Sequence, residues 1–215
     1  MSEYLRLNIA IIPLEEVAIA AIELSQELSK LGKASIILDG RDFHPHVTCY
    51  SPEFPTKNFN QIVELLSKLA EETKSFENKL DGFVPTPEDT GTVEVKLKKS
   101  KEIDELHREI IKELDPLREG HLREKYRRPD FPLKFPEDRR ELMTKIMKEV
   151  GYPRVLDAYG PHISIIRFEN PEIAEEAIEK TEWKINSMRV EKIGIFTMGD
   201  YGTCKKLLNE FSLLR

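Results

Sequence analysis

The sequence holds little sulfur and nothing long and apolar. Two cysteines, Cys49 and Cys204, occur in 215 residues, too few for a disulfide framework and without the paired spacing of a zinc site. Cys49 lies inside an apolar run, which reads as a buried, reduced thiol. The stretch from residue 5 to residue 24 is broken by Pro13, Glu15 and Glu16, so it is neither a signal peptide nor a membrane span. These absences point to the cytoplasm. A basic excess is missing too: 33 Lys and Arg face 39 Asp and Glu, for a net charge of −6. That argues against strong nonspecific nucleic-acid binding but is compatible with a local basic groove. No P-loop pattern is present, which excludes a triphosphate hydrolase of that type.

What is present is a short repeat. Pro45-His46-Val47-Thr48 is written a second time as Pro161-His162-Ile163-Ser164, so two of the five histidines stand in one frame. Each copy opens an apolar run with strand character. Successive side chains of a strand alternate in direction, so His46, Thr48 and Tyr50 are expected on one face with Val47 and Cys49 on the other. His162 and Ser164 share a face in the same way. Imidazole and hydroxyl then stand about 7 Å apart at the backbone, close enough for one phosphate-sized group to touch both.

The surroundings of the two copies are alike. Residues 4–12 alternate cleanly, with Leu5, Leu7, Ile9 and Ile11 opposite Tyr4, Arg6, Asn8 and Ala10, and predict a strand. Val17, Ala21, Leu24, Leu28 and Leu31 then recur at helical steps and end at Gly32. Residues 35–38 read as a short strand. A helix with Phe59, Ile62, Leu65, Leu66 and Leu69 buried follows the first motif, and an antiparallel pair over 76–84 and 92–97, joined by a loop at 85–91, follows that. Ser100 caps a helix carrying Ile103, Leu106, Ile110 and Leu114. After the second motif, Asn170-Pro171 opens a helix. Strands are then predicted within 183–188 and over 190–198 and 206–213, with a turn at 199–202.

Residues 115–159 have a different texture. Prolines 116, 129, 132, 136 and 153 interrupt any regular element, while Leu142, Ile146, Val150 and Gly151 mark one short helix. Between residues 118 and 140 eight basic side chains meet five acidic ones. The segment reads as an insertion packed beside the site of a single domain spanning residues 1–215.

Two histidines flanking a phosphate form an acid–base pair: one neutral ring takes a proton from the attacking oxygen while the other, protonated, gives one to the leaving oxygen. Thr48 and Ser164 then donate to the nonbridging oxygens. No metal or other cofactor is required. The paired motifs resemble the His-x-Thr/Ser motifs of the two-histidine phosphoesterases, a superfamily that includes RNA 2′,5′-ligase-like proteins and cyclic nucleotide phosphodiesterases. The resemblance implies an α/β (α+β) bilobal, pseudo-two-fold duplicated fold, with two antiparallel sheets lining a central groove and helices outside. It also implies metal-independent chemistry on 2′,3′-cyclic phosphates or 2′,5′ linkages of RNA ends or small nucleotides. His46, Thr48, His162 and Ser164 match the catalytic positions of the family. Tyr50, Arg6, Tyr201, Arg127 and Arg128 are candidates for substrate binding, from strand direction, turn placement or the basic cluster. A monomer is expected.

Other readings start from the same residues. His44 and His46 share a strand face and could begin a metal site, but no third ligand has a suggestive spacing. His107 and His121 read as solvated. A noncatalytic RNA- or nucleotide-binding module on the same scaffold is the alternative to an enzyme, and the basic segment motivates it.

Overall fold

The computed structural model describes residues 2–85 and 91–215, with Pro85 described by its backbone alone. Residues 86–90 of the expected loop lie outside the described residues. In chain order the elements are β1 (Tyr4–Ile11), α1 (Glu15–Leu28), β2 (Ala34–Ile37), β3 (Val47–Tyr50), β4 (Glu53–Pro55), α2 (Phe59–Glu72), β5 (Phe76–Pro85) and β6 (Thr92–Leu97). There follow α3 (Lys101–Leu114), α4 (Glu124–Arg127), α5 (Arg140–Val150), β7 (His162–Phe168), α6 (Pro171–Lys180), β8 (Ser187–Val190), β9 (Lys192–Met198) and β10 (Cys204–Ser212).

The strands form two antiparallel sheets. One runs β10-β9-β1-β3, with β4 also on β1; the other runs β2-β7-β6-β5-β8. Each motif strand therefore belongs to a different sheet. The sheets are not consecutive halves of the chain, because β2 crosses to the edge of the second and β9 and β10 return to the first. The switch back occurs at Glu191, between β8 on β5 and β9 on β1. That is why the strand expected over 190–198 divides there. The strand expected within 183–188 begins only at Ser187, while Trp183 packs edge-on to Phe83.

Leu7, Ile9 and Ile11 of β1 are fully buried, as alternation requires, but so are Asn8 and Ala10 on its other face. A central strand covered on both sides has no solvated face. The helices follow their apolar stripes. Ser100 Oγ accepts the Ile103 N–H at 3.3 Å and Asn170 Oδ1 accepts the Glu172 N–H at 3.2 Å, each satisfying a free donor of a helical first turn. In α5 the buried residues are Met143, Ile146 and Met147, so the buried face keeps Ile146 but turns from Leu142, which is exposed, toward the two methionines.

One buried arginine ties the ends of the 115–159 segment together. Arg118 Nε donates to Asp115 Oδ1 at 2.9 Å, Nη2 to the Glu149 carbonyl at 2.9 Å, and Nη1 to the His121 carbonyl. Gly151 stops α5 at φ 72°, and a Cβ there would lie 2.6 Å from Arg118 Cδ, so both backbone and packing demand glycine.

The two histidines expected in solvent are not there. His107 is fully buried on α3, stacked 3.7 Å from Tyr159. Its Nδ1–H donates to the Cys49 carbonyl at 2.9 Å, and its Nε2 accepts the Leu156 N–H at 2.8 Å. This pairing needs the neutral ring, and burial pushes its pKa down to about 4. His121 is half-buried, stacked 3.7 Å from Tyr4 and 3.1 Å from Glu53. His107 falls four residues after Ile103 and three before Ile110, on the apolar stripe of α3, so the helical period marks it for the core, whereas His121 lies in a segment without a period.

Candidate functional site

The two motif strands face one groove of about 320 Å³ lined by His46, Thr48, His162 and Ser164. Strand register explains their convergence. On the first sheet Ala10 pairs with Thr48, so Thr48 shares the groove face of β1 with Asn8 and Ala10. On the second sheet Lys96 pairs with His162 and Glu94 with Ser164, which puts the His and Ser of β7 on one face beside the polar positions of β6.

The imidazoles are anchored identically. His46 Nδ1 lies 2.8 Å from the His44 carbonyl, and His162 Nδ1 lies 2.8 Å from the Gly160 carbonyl. A carbonyl only accepts, so each Nδ1 carries the proton and each neutral ring keeps its lone pair on Nε2. Beyond that anchor they differ. Burial pushes the His46 pKa down to about 4 against the hydrogen bond to His44, and the charge of nearby His162 pushes the same way. His162 Nε2 lies 3.4 Å from Glu94 Oε1, a buried carboxylate that supplies a countercharge to a protonated ring.

Two polar residues that the sequence reading missed complete the arrangement. Asn8 is fully buried, and its Nδ2 donates to Thr48 Oγ1 at 3.0 Å and to the Gly202 carbonyl at 3.1 Å. Because Gly202 offers an acceptor, the amide is fixed with its NH₂ toward both partners. Thr48 Oγ1 is thereby an acceptor from Asn8, and its own O–H is free to donate into the groove. Glu94 is the other. Both are polar side chains within apolar strand patterns, the one signal that marks them; which partner each meets depends on pairing with distant strands.

Of the five expected binding residues, only Tyr201 lines the groove. It is 67% exposed, at φ 56°, a region costly for a bulky residue, with the Arg167 guanidinium 4.4 Å from its ring centroid. Tyr50 is fully buried and its hydroxyl reaches Asp115 Oδ1 at 2.9 Å and the Val150 carbonyl at 2.6 Å. A β-bulge causes this. Ile9 pairs with Tyr50 but Ala10 with Thr48, so Cys49 is an extra residue and Tyr50 turns to the core face of Ile9. Arg6 donates to the Gly199 carbonyl at 3.3 Å and lies 3.9 Å from Glu53. Arg127 donates to the Leu122 carbonyl at 2.8 Å, and Arg128 pairs with Asp130 at 3.0 Å. All three arginines lie off the groove. The 115–159 segment instead presents Arg123, Lys125, Arg139 and Arg154 to it.

Among the described residues no three His, Cys, Asp or Glu side chains converge as a metal site, and the His44 ring lies 5.5 Å from that of Phe196. No described helix is long and apolar enough to cross a membrane.

The sequence profile of the 2′-5′ RNA ligase superfamily matches residues 37–201, a span that holds both motifs. No curated protein matches the chain in sequence. Among solved structures, E. coli LigT complexed with ATP matches with a TM-score of 0.59 at 15% identity, over 100% of both chains. A protein described as a phosphoesterase matches at 0.60 and 15% identity, over 99% of this chain and 100% of its own. TT0787 of Thermus thermophilus matches at 0.59 and 17% identity, over 97% of each chain. LigT has also been solved with NADP+ and with 3′-AMP. At these identities the structural likeness speaks for the fold, which is that of LigT. The profile covers most of the sequence, and on that ground the chain belongs to the 2′-5′ RNA ligase superfamily.

Proposed function

We propose that the protein is a metal-independent phosphoesterase acting on 2′,3′-cyclic phosphates or 2′,5′ linkages of RNA ends or small nucleotides. The observation that carries this reading is the matched pair of imidazoles, each tethered through Nδ1 to a carbonyl two residues earlier, in one groove. In opening a cyclic phosphate, His46 takes a proton from the attacking water through Nε2. The new water-oxygen bond to phosphorus forms as the ribose oxygen departs, and His162 protonates that oxygen. The environments favour this division. Burial keeps His46 neutral, and Glu94 stands ready to balance a charged His162. An anionic phosphate between the rings offsets part of the cost of charging His46 and so raises its basicity. Thr48 and Ser164 donate to the nonbridging oxygens, with Asn8 freeing the Thr48 proton.

The structures of LigT with ATP, 3′-AMP and NADP+ support small nucleotides as the ligand class. The same proposal takes the protein as a cytoplasmic monomer and residues 115–159 as an insertion in a single bilobal domain. The test is turnover in the presence of a chelator of adenosine 2′,3′-cyclic phosphate and of a 2′,5′-linked diadenosine. Release of a phosphomonoester or a cleaved linkage from at least one is expected; tight binding without product from either overturns the enzyme in favour of a binding module. The cationic groove walls are what favour that second reading.

A further inference from the structure

One phosphodiester between two histidines needs little charge around it. The groove supplies far more. Among the described residues its walls carry Lys96, Arg123, Lys125, Arg139, Arg154 and Arg167 against one carboxylate, Glu94, in a protein of net charge −6. Four of these six cations, Arg123, Lys125, Arg139 and Arg154, come from the 115–159 segment, whose basic residues the fold has sorted. Arg118 is used as the staple, while Arg127 and Arg128 are bound to local acceptors off the groove.

Three of the four that face the groove converge on one wall beside Tyr126 and Phe131. Arg123 is 7% exposed and lies 3.3 Å from Glu53. Arg139 donates to the Ala158 carbonyl at 2.9 Å. Lys125 has no carboxylate partner among the described residues; its ammonium stands 5.0 Å from the Tyr126 ring centroid and 5.8 Å from that of Phe131. Such crowding of like charges is unfavourable without a counterion. Burial pushes the Lys125 pKa down to about 8, with Arg123, Arg6 and Lys134 adding to the shift and Glu53 opposing it. Phe131 also stacks edge-on against Tyr126 at 4.8 Å and Phe135 at 5.5 Å, so an aromatic cluster lies beside the cations, as in sites that hold single-stranded nucleotides. A cavity of about 320 Å³ holding both this wall and the histidines suits one small ligand that spans them.

We infer that Arg123, Lys125 and Arg139 form a second anion subsite, which takes a phosphate covalently joined to the nucleoside whose reacting phosphate lies between His46 and His162. The placement of the first phosphate rests on the phosphoesterase reading. The substrate class is then a nucleotide carrying at least two phosphates, either a chain end with its backbone phosphate or a nucleoside phosphorylated at two positions. A nucleoside cyclic phosphate with nothing else attached uses half of the groove.

Calorimetric binding of ligands that do not react tests this apart from turnover. The probes are adenosine 3′-monophosphate, adenosine 3′,5′-bisphosphate and a diadenosine 3′-phosphate with one backbone phosphate. The full protein is expected to bind at least one of the two-phosphate ligands ~10-fold or more tighter than the monophosphate at low salt, with a steeper salt dependence. Gain for the bisphosphate alone identifies a terminal phosphate, gain for the dinucleotide alone a backbone phosphate; either supports the subsite. Lys125→Glu is expected to remove most of the gain. Lys148→Glu makes the same charge change at an exposed residue outside the groove and is expected to keep it. Equal affinity for one and two phosphates, or an undiminished gain in Lys125→Glu, overturns the subsite. A clear gain in a protein that turns over no phosphoester overturns the enzyme and leaves the subsite standing.

Discussion

His46 and His162 have the same backbone anchor and opposite electrical surroundings. Both rings are held by a carbonyl 2.8 Å from Nδ1, so their geometry is duplicated. His46 is then desolvated and kept neutral, whereas His162 meets the Glu94 carboxylate at 3.4 Å. Two copies of a motif supply two similar rings. An acid and a base require that something outside the motif make them unlike, and here burial and one carboxylate do so.

The comparison breaks most visibly if either ring is dispensable. His46→Ala and His162→Ala are each expected to lower kcat on the preferred phosphoester by roughly 10²–10⁴-fold, the usual worth of general acid–base help. The double variant should fall little further, because the two rings act as a unit. Steady-state kinetics in the presence of a chelator measures this, and near-normal turnover in the double variant removes the mechanism. A smaller effect is expected at Asn8, which touches only the His46 side. Asn8→Ala leaves Thr48 Oγ1 without its donor and the Gly202 carbonyl unpaired, so kcat should drop by about 10-fold with KM nearly unchanged, from the loss of about one oriented donor. A rise in KM with kcat intact would assign Asn8 to binding.

Glu94→Gln sharpens the other side. Without the carboxylate a charged His162 loses the negative group beside it, so kcat on the preferred phosphoester should fall several-fold with KM little changed. An unchanged kcat separates Glu94 from the acid role. His107 serves as a third ring, equally depressed to about 4 but outside the groove lining. In the unfolded chain a histidine has a pKa of about 6.5. Protonation therefore favours unfolding, and this contribution to stability is full above about pH 6.5 and is lost as pH falls toward 4. For His107 the loss approaches about 3 kcal/mol. Urea unfolding at pH 7.5 and at pH 5 should show part of it, and His107→Gln should flatten the dependence while leaving the histidine limbs of the rate profile in place.

The difference between what the sequence disclosed and what it withheld follows from range. His46 with Thr48 and His162 with Ser164 were legible because a two-residue period fixes faces along one strand. The same rule failed at Tyr50, two residues past Thr48, because the bulge at Cys49 depends on how β1 pairs with β3. Asn8 and Glu94 reach their partners across strands, and no local pattern records that register. Within 115–159 the prolines remove any period, so Arg127 and Arg128 could not be told from Arg123 and Arg139. Only the folded segment separates those that face the groove.

The asymmetry of the pair is tested most directly by pH–rate profiles of kcat/KM, in chelated buffer, for the wild-type protein and the two single alanine variants. A bell is expected for the wild type. The residual rate of His46→Ala should lose the acid limb and keep the alkaline one, while His162→Ala should do the reverse. Profiles that lose the same limb in both variants, or either variant with both limbs and full rate, would contradict the division of labour between the two histidines.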